Sequence, residues 1–133
     1  MLKLVLFSLL LFAKPMPQQQ PVTPVLPSIP AEAMQKTSPA KPTPEGMVRA
    51  RKMYGYDCEV CHGANGNGKG DLATQSKLIM KDWTDPAALK GRTDGELFYI
   101  ITNGEGTMPA EGDRAKPEDI WNMVAILRSF SRP

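Results

Sequence analysis

The sequence predicts an all-α domain over residues 45–133, preceded by a proline-rich linker at 14–44 and a short apolar leader at 1–13. Three observations carry that expectation. Helix-start signals recur at Thr43-Pro44, at Thr93 with Glu96, and at Pro117. Apolar residues behind each of them repeat at spacings of three and four, the period of one helical face. No stretch alternates convincingly with the period of two that a half-buried strand requires.

The first helix has Thr43 placed to cap, and Pro44 suits the first helical position because a missing N–H is no loss there. Glu45 favours the positive end of the helix dipole. Met47, Ala50, Tyr54, Cys58 and Cys61 then fall on one face. Gly63, Gly66, Gly68 and Gly70 interrupt the regularity and predict an open loop. Thr84 to Leu89 fit a short helical turn behind Trp83. A better-defined helix follows, where Thr93 and Glu96 make a capping box, Leu97, Ile100 and Ile101 form the stripe, and Asn103-Gly104 ends it. After a loop from Glu105 to Lys116, Pro117 opens the last helix. Its stripe is Ile120, Val124 and Leu127, flanked by Trp121, Met123 and Phe130. Lys116 stands at its cap position, where Ser or Asp is preferred.

The chain upstream of these helices has a different character. Lys3 is followed by an apolar run from Leu4 to Ala13, broken only by Ser8. A run of about a dozen residues suits a signal peptide better than a membrane span, which needs about 20. Residues 1–13 are therefore expected to be a signal peptide or a short N-terminal anchor, and the domain to be exported to the periplasm or the outer face of the cytoplasmic membrane. Neither cysteine lies near enough for a lipid-modified N-terminus. Of the 13 prolines, all but Pro86, Pro109, Pro117 and Pro133 fall between Pro15 and Pro44. With Gln18-Gln19-Gln20 among them, they favour an extended, solvated tether that is dispensable for the domain. At about 3.1 Å per residue it could reach roughly 90 Å.

A hydrophobic content of 41% and a charged content of 23% are ordinary for a globular chain. The net charge of +2 comes from Lys3, Lys14, Lys36 and Lys41 against Glu32, which leaves the domain itself close to neutral. It has no basic face and no interleaving of basic with aromatic residues, so nucleic acid is not an expected partner.

Cys58-Glu59-Val60-Cys61-His62 is a C-x-x-C-H run, the attachment signature of c-type haem. The chemistry requires that order. Two thiols separated by two residues each add across one haem vinyl group, and the following imidazole becomes the proximal iron ligand. His62 is the only histidine and the two cysteines are the only ones. A zinc site would have three such ligands and no second pair. A thioredoxin-like redox pair belongs beside a βαβ pattern that this chain lacks.

One histidine leaves methionine to supply the second axial ligand. Of the eight methionines, Met1, Met16 and Met34 lie in the leader or linker, while Met47, Met53 and Met123 lie in predicted helices as packing residues. Met80 and Met108 remain. Met108 is favoured because Gly104-Glu105-Gly106-Thr107-Met108-Pro109 is a glycine-rich loop able to bring its backbone close to a flat cofactor. Met80 lacks that framing.

Cys58 to Gly63, the run Gly91 to Phe98, Asn103-Gly104, Met108-Pro109-Ala110 and Trp121 to Arg128 together resemble the monohaem class I cytochromes c, over residues 45 to about 131. The resemblance implies a small helical wrap around one covalent haem c, with the first and last helices crossing. Ala50 falls at the family's small crossing position, Tyr54 at its aromatic one, and Met123 and Ile126 would be their partners. It also implies a single-electron carrier with His62 and Met108 as axial ligands, working with redox partner proteins in a respiratory or photosynthetic chain, free or as a subunit of a membrane complex. Trp83 and Arg92 are candidate donors to the haem propionates, since a buried carboxylate needs donors. The alternatives are a haem peroxidase or gas-binding protein with an open distal site, and a thiol-disulfide oxidoreductase without haem. Three positions depart from the family pattern. Ile126 replaces the usual aromatic, with Trp121 or Phe130 able to compensate. No proline between His62 and Trp83 offers a carbonyl to the proximal imidazole. Lys116 occupies the cap position of the last helix.

Overall fold

In the computed structural model, which describes residues 28–131, the elements run α1 (Ala31–Met34), α2 (Pro44–Met53), a π-helical turn (Tyr54–Cys58), α3 (Glu59–His62), α4 (Asp71–Gln75), α5 (Asp94–Asn103) and α6 (Pro117–Phe130). The leader at 1–13 and the linker as far as residue 27 lie outside the described residues. Among the described residues there is no strand, only an isolated bridge between Glu105 and Met108. The domain is all-α, as its periodicity predicts.

The cap signals work locally as the sequence predicts. Thr43 Oγ1 accepts from the Gly46 amide at 3.1 Å and opens α2. At α5 the box is complete, with Thr93 Oγ1 accepting from the Glu96 amide at 3.1 Å and Glu96 Oε2 accepting from the Thr93 amide at 2.7 Å. Lys116 gives α6 no side-chain cap. Glu118 and Asp119 in its first turn face the dipole instead, and Asp119 pairs with Arg49 of α2 at 3.2 Å.

α2 packs most extensively on α6, and α5 joins them. Ala50 is completely buried, and with Tyr54, Leu97, Ile101, Met123, Ile126 and Leu127 it forms one core. The absence of an aromatic ring at Ile126 is made good by Phe130, whose ring centroid lies 5.3 Å from that of Tyr54. Trp121 stacks on Phe98 instead, at 4.3 Å.

Two local expectations change. Thr84 to Leu89 form successive turns rather than a helix. Asp82 Oδ1 accepts from the Thr84 amide, and Asp85 Oδ1 from the Ala87 amide. Such Asx bonds give the backbone an alternative to the helical ladder. The glycine loop also runs into a short helix, α4, that no periodic pattern announced.

The third difference concerns the linker. Its last part, from Pro30 onward, rests on the domain. α1 buries Ala33, the Met34 carbonyl accepts from Thr93 Oγ1 at 2.8 Å, and Lys36 Nζ sits 5.8 Å from the centre of the Phe98 ring. The seat is Gly95 at the start of α5, where any Cβ would collide with the Ala33 carbonyl. One helical turn with a single buried alanine has no periodicity to detect, which is why composition alone reads it as tether. A chain beginning at Thr43 is therefore expected to unfold at lower temperature than one beginning at Ser28, by about 1–2 kcal/mol of lost burial. Gly95→Ala should act in the same direction. Equal melting curves for the two truncations would show that α1 contributes nothing.

Candidate haem-attachment site

The chain widens from α2 into the π turn at Tyr54–Cys58. The Glu59 amide reaches back five residues to the Tyr54 carbonyl. Such single π turns interrupt α-helices mainly at functional sites, and this one ends on Cys58. Cys61 and His62 follow in α3, so both thiols and the imidazole hang from one continuous helical rod. The thiols are free and half-buried.

His62 closes the rod. The Gly63 amide bonds the Glu59 carbonyl at 2.8 Å, and the chain turns away. The loop then folds back over the helix end: the Gly68 amide bonds the His62 carbonyl at 2.8 Å, the Gly70 amide the Cys61 carbonyl at 3.2 Å, and the Trp83 amide the Gly66 carbonyl at 2.7 Å. Tyr54 Oη donates to the Gly63 carbonyl at 2.7 Å from inside the core. These bonds deliver Trp83 onto the imidazole, with ring centroids 4.1 Å apart and planes 16° from parallel. Phe130 lies beyond it, its ring 6.4 Å from that of Trp83.

The site's electrostatics follow from burial. Desolvation lowers the proton affinity of His62, which keeps the imidazole neutral with a lone pair free for a metal. Its Nδ1 is buried and meets no hydrogen-bonding partner. The Cys58 thiol is pushed up to about 12, first by burial and then by Glu111 and Asp57. A redox-active C-x-x-C pair needs a lowered thiol pKa, and this environment acts in the opposite sense. Among the described residues no group of three or more His, Cys, Asp or Glu is placed to hold a metal ion. The donor set therefore suits haem: two thiols for vinyl addition on one helical rod, and a half-buried imidazole beside them.

Met108 sits in a tight turn after α5. The Glu105 amide bonds the Met108 carbonyl at 3.2 Å and the Met108 amide bonds the Glu105 carbonyl at 2.9 Å. Gly104 has φ of 76°, and a Cβ there would lie 2.5 Å from the Met108 carbonyl, so only glycine fits. The Met108 side chain is half-buried against the core. Met80 has its Cβ beside Gly68, in the loop that follows His62.

Arg92 pairs with Glu96 at 3.5 Å, at the start of α5. Its carbonyl accepts from Arg128, which also bonds the Leu89 carbonyl and Asp94. Arg128 thus pins the segment leading into α5, a role without local sequence signal. Sequence reasoning also missed Glu111, Arg114 and Asp57. Arg114 Nη2 donates to Glu111 Oε1, and its Nη1 lies 3.2 Å from Asp57 Oδ1. Both carboxylates, Glu111 first, hold Arg114 firmly cationic.

A solved structure that shares this fold is a c-type cytochrome. KustC0563, so described, superposes with a TM-score of 0.55 at 25% identity, covering 62% of this chain and 98% of that one. The family model for the cbb3-type cytochrome c oxidase subunit III matches residues 46–127, and the chain belongs to that family. It is 33% identical over 83 residues to the cbb3-type cytochrome c oxidase subunit FixP of Azorhizobium caulinodans, covering 62% of this chain and 26% of that relative. It is 29% identical over 82 residues to cytochrome c6 of Picosynechococcus, covering 57% of this chain and 66% of that one. The chain thus spans about a quarter of FixP and about two thirds of that cytochrome c6. Its fold class, its covalent haem c and its place in electron transport follow from this membership.

Proposed function

We propose that the protein is a non-enzymatic single-electron carrier, with haem bonded to Cys58 and Cys61 and its iron held between His62 and Met108. The observation that carries this reading is the half-buried imidazole of His62, its Nδ1 without a protein partner, at the end of the rod that bears both thiols. When bound, the haem supplies a six-coordinate iron that rearranges little between its two oxidation states, and the thioether favours the reduced one. The chain's own contribution is to fix the imidazole, exclude water and hold the thioether. The stack of Trp83 on His62 supports a bracing role for Trp83 rather than a propionate contact. The pairing of Arg92 with Glu96 supports a helix-start ion pair for that residue.

Acidic acetone is expected to leave the haem on the chain, with the mass raised by one haem. Met108→Ala should keep the haem attached, abolish the weak sulfur-to-iron absorption band, lower the potential and admit external ligands. Were Met80→Ala to do this while Met108→Ala did not, the loop assignment would be wrong. Wild-type protein that binds external ligands freely would point to the peroxidase or gas-binding class.

For Trp83, replacement by Leu is expected to retain haem while changing the paramagnetic signature that reports imidazole orientation, and Trp83→Phe should restore most of it. A signature unchanged in Trp83→Leu would refute the brace.

The N-terminal apolar run supports export to the periplasm or the outer membrane face, where redox partner proteins would be met. Among the described residues no helix is long and apolar enough to cross a membrane. FixP is by name an oxidase subunit, which supports work within a membrane complex. A near-neutral domain offers little charge steering, whereas the proline-rich tract would raise local concentration. Electron transfer to a native membrane partner should then vary little with salt and slow markedly at low protein concentration once the tract is severed near residue 27. A rate indifferent to severing, but falling steeply as salt rises from about 0.01 to 0.15 M, would favour charge-guided docking.

A further inference from the structure

Met108 belongs to a loop that leaves α5 and returns to it. At the near end the Gly104 amide bonds the Ile100 carbonyl; at the far end the Glu111 and Gly112 amides bond the Ile101 and Thr102 carbonyls at 2.9 and 3.0 Å. The loop and α5 thus form one body. The two thiols and His62 belong to another, the rod of α2, the π turn and α3. A thioether bond from Met108 to the iron would have to span these two bodies.

One side chain joins them directly. Arg114 divides its guanidinium between Glu111, three residues after Met108, and Asp57, the residue before Cys58. The other hydrogen bonds of residues 104–116 among the described residues run to α5, within the loop or into the first turn of α6. The two arms of the bridge differ in kind. Arg114 and Asp57 are 55% and 27% exposed, a pairing that contributes little by itself. Glu111 is only 3% exposed, and its Oε2 is buried with no partner. A carboxylate in that position depends on its cation, because removing one member of a buried pair strands the other charge. The same carboxylate is the first charged group felt by the Cys58 thiol, so the bridge lies against the attachment site.

We propose that Arg114 is a positioning residue for Met108, a latch that holds the methionine loop against the haem-bearing rod and keeps the distal iron position closed. The proposal rests on Met108 as axial ligand. Without the latch, Glu111 is left as an uncompensated buried charge, which it escapes by moving toward water and taking the loop with it. The iron then becomes open to small external ligands.

The test uses the full-length haem-loaded protein, with cyanide as the probe and Met108→Ala as the reference. Arg114→Ala should retain covalent haem and bind cyanide at least about tenfold faster than wild type, equivalent to about 1.4 kcal/mol of easier opening. Arg114→Lys should recover part of the closure, since a lysine reaches one carboxylate but cannot fork between two. Asp57→Asn, which removes only the exposed arm, should have a smaller effect. Glu111→Gln serves where Arg114→Ala fails to mature: the neutral amide no longer binds the cation, so cyanide should again enter faster. Melting curves accompany each rate, because a merely structural role would lower the melting temperature and leave cyanide entry unchanged. Fast entry in Met108→Ala together with wild-type rates in Arg114→Ala and Glu111→Gln would overturn the latch and spare the ligand assignment. Wild-type behaviour of Met108→Ala itself would overturn the ligand assignment instead.

Discussion

Ala50 has no exposed surface in the core that α2 shares with α6, and the geometry of the site rests on that packing. Two thiols and an imidazole can meet a rigid macrocycle only if the helix that carries them neither slides nor rolls. A small residue at the crossing lets the backbones approach, and Met123 and Ile126, each 1% exposed, complete the packing around it. Close-packed interiors resist small displacements because every shift opens a void or forces a clash. The Arg49–Asp119 pair marks the upstream end of the same contact. Downstream, Tyr54 carries the constraint forward: its ring packs on Phe130 of α6 while its hydroxyl holds the carbonyl after His62. One residue therefore couples the helix crossing to the ligand turn.

Much of this was legible in the sequence wherever the physics is local. Thr43-Pro44, the Thr93–Glu96 box and Pro117 each act within one helical turn, so their residues reveal them without knowledge of the fold. The C-x-x-C-H run is likewise self-contained. The crossing positions were legible only through resemblance to a family, since nothing in Ala50 alone says that a helix lies on it. What escaped was long-range. Arg114 and Asp57 stand 57 residues apart, and Thr93 and Met34 are 59 apart. No spacing rule links such pairs, and an exposed-looking Glu in a polar loop gives no sign that it is buried to 97%, the complement of its 3% exposure. Trp83 was legible as a site residue by its type, but its stacking partner was not: the amide bond to Gly66 directs the ring to the imidazole, so backbone geometry decides that contact.

The missing proline after His62 has a physical counterpart in that stack. A carbonyl acceptor fixes an imidazole by one directional bond and adds electron density to the ring. An indole face fixes it over a wide area by dispersion, and ring pairs of this kind prefer stacked or tilted packing at separations like those here. Orientation can thus be retained while the electronic push of a hydrogen bond is absent. Phe130 behind Trp83 prevents the indole from backing away, and Phe130 belongs to α6, so the brace traces to the same helix that buries Ala50.

The supports of His62 and of the proposed ligand Met108 are built differently. The histidine is held by the stack with Trp83 and by the backbone bonds that fold the loop over the helix end. The methionine loop is held by α5 and by a bridge whose central residue faces solvent, so water and ions reach it. Such an asymmetry follows from the connectivity. His62 ends a rod whose inner face, at Ala50 and Tyr54, packs into the core, whereas Met108 arrives late in the chain on a loop between two helices, where a polar surface tie is the available means of reaching the rod. Electron exchange benefits when both ligands stay in place through a change of oxidation state, because any rearrangement adds to the barrier. On the proposed ligation by Met108, the weaker of the two supports would set the behaviour of the iron, and it would lie in the charges of Asp57, Arg114 and Glu111 rather than in the hydrophobic core.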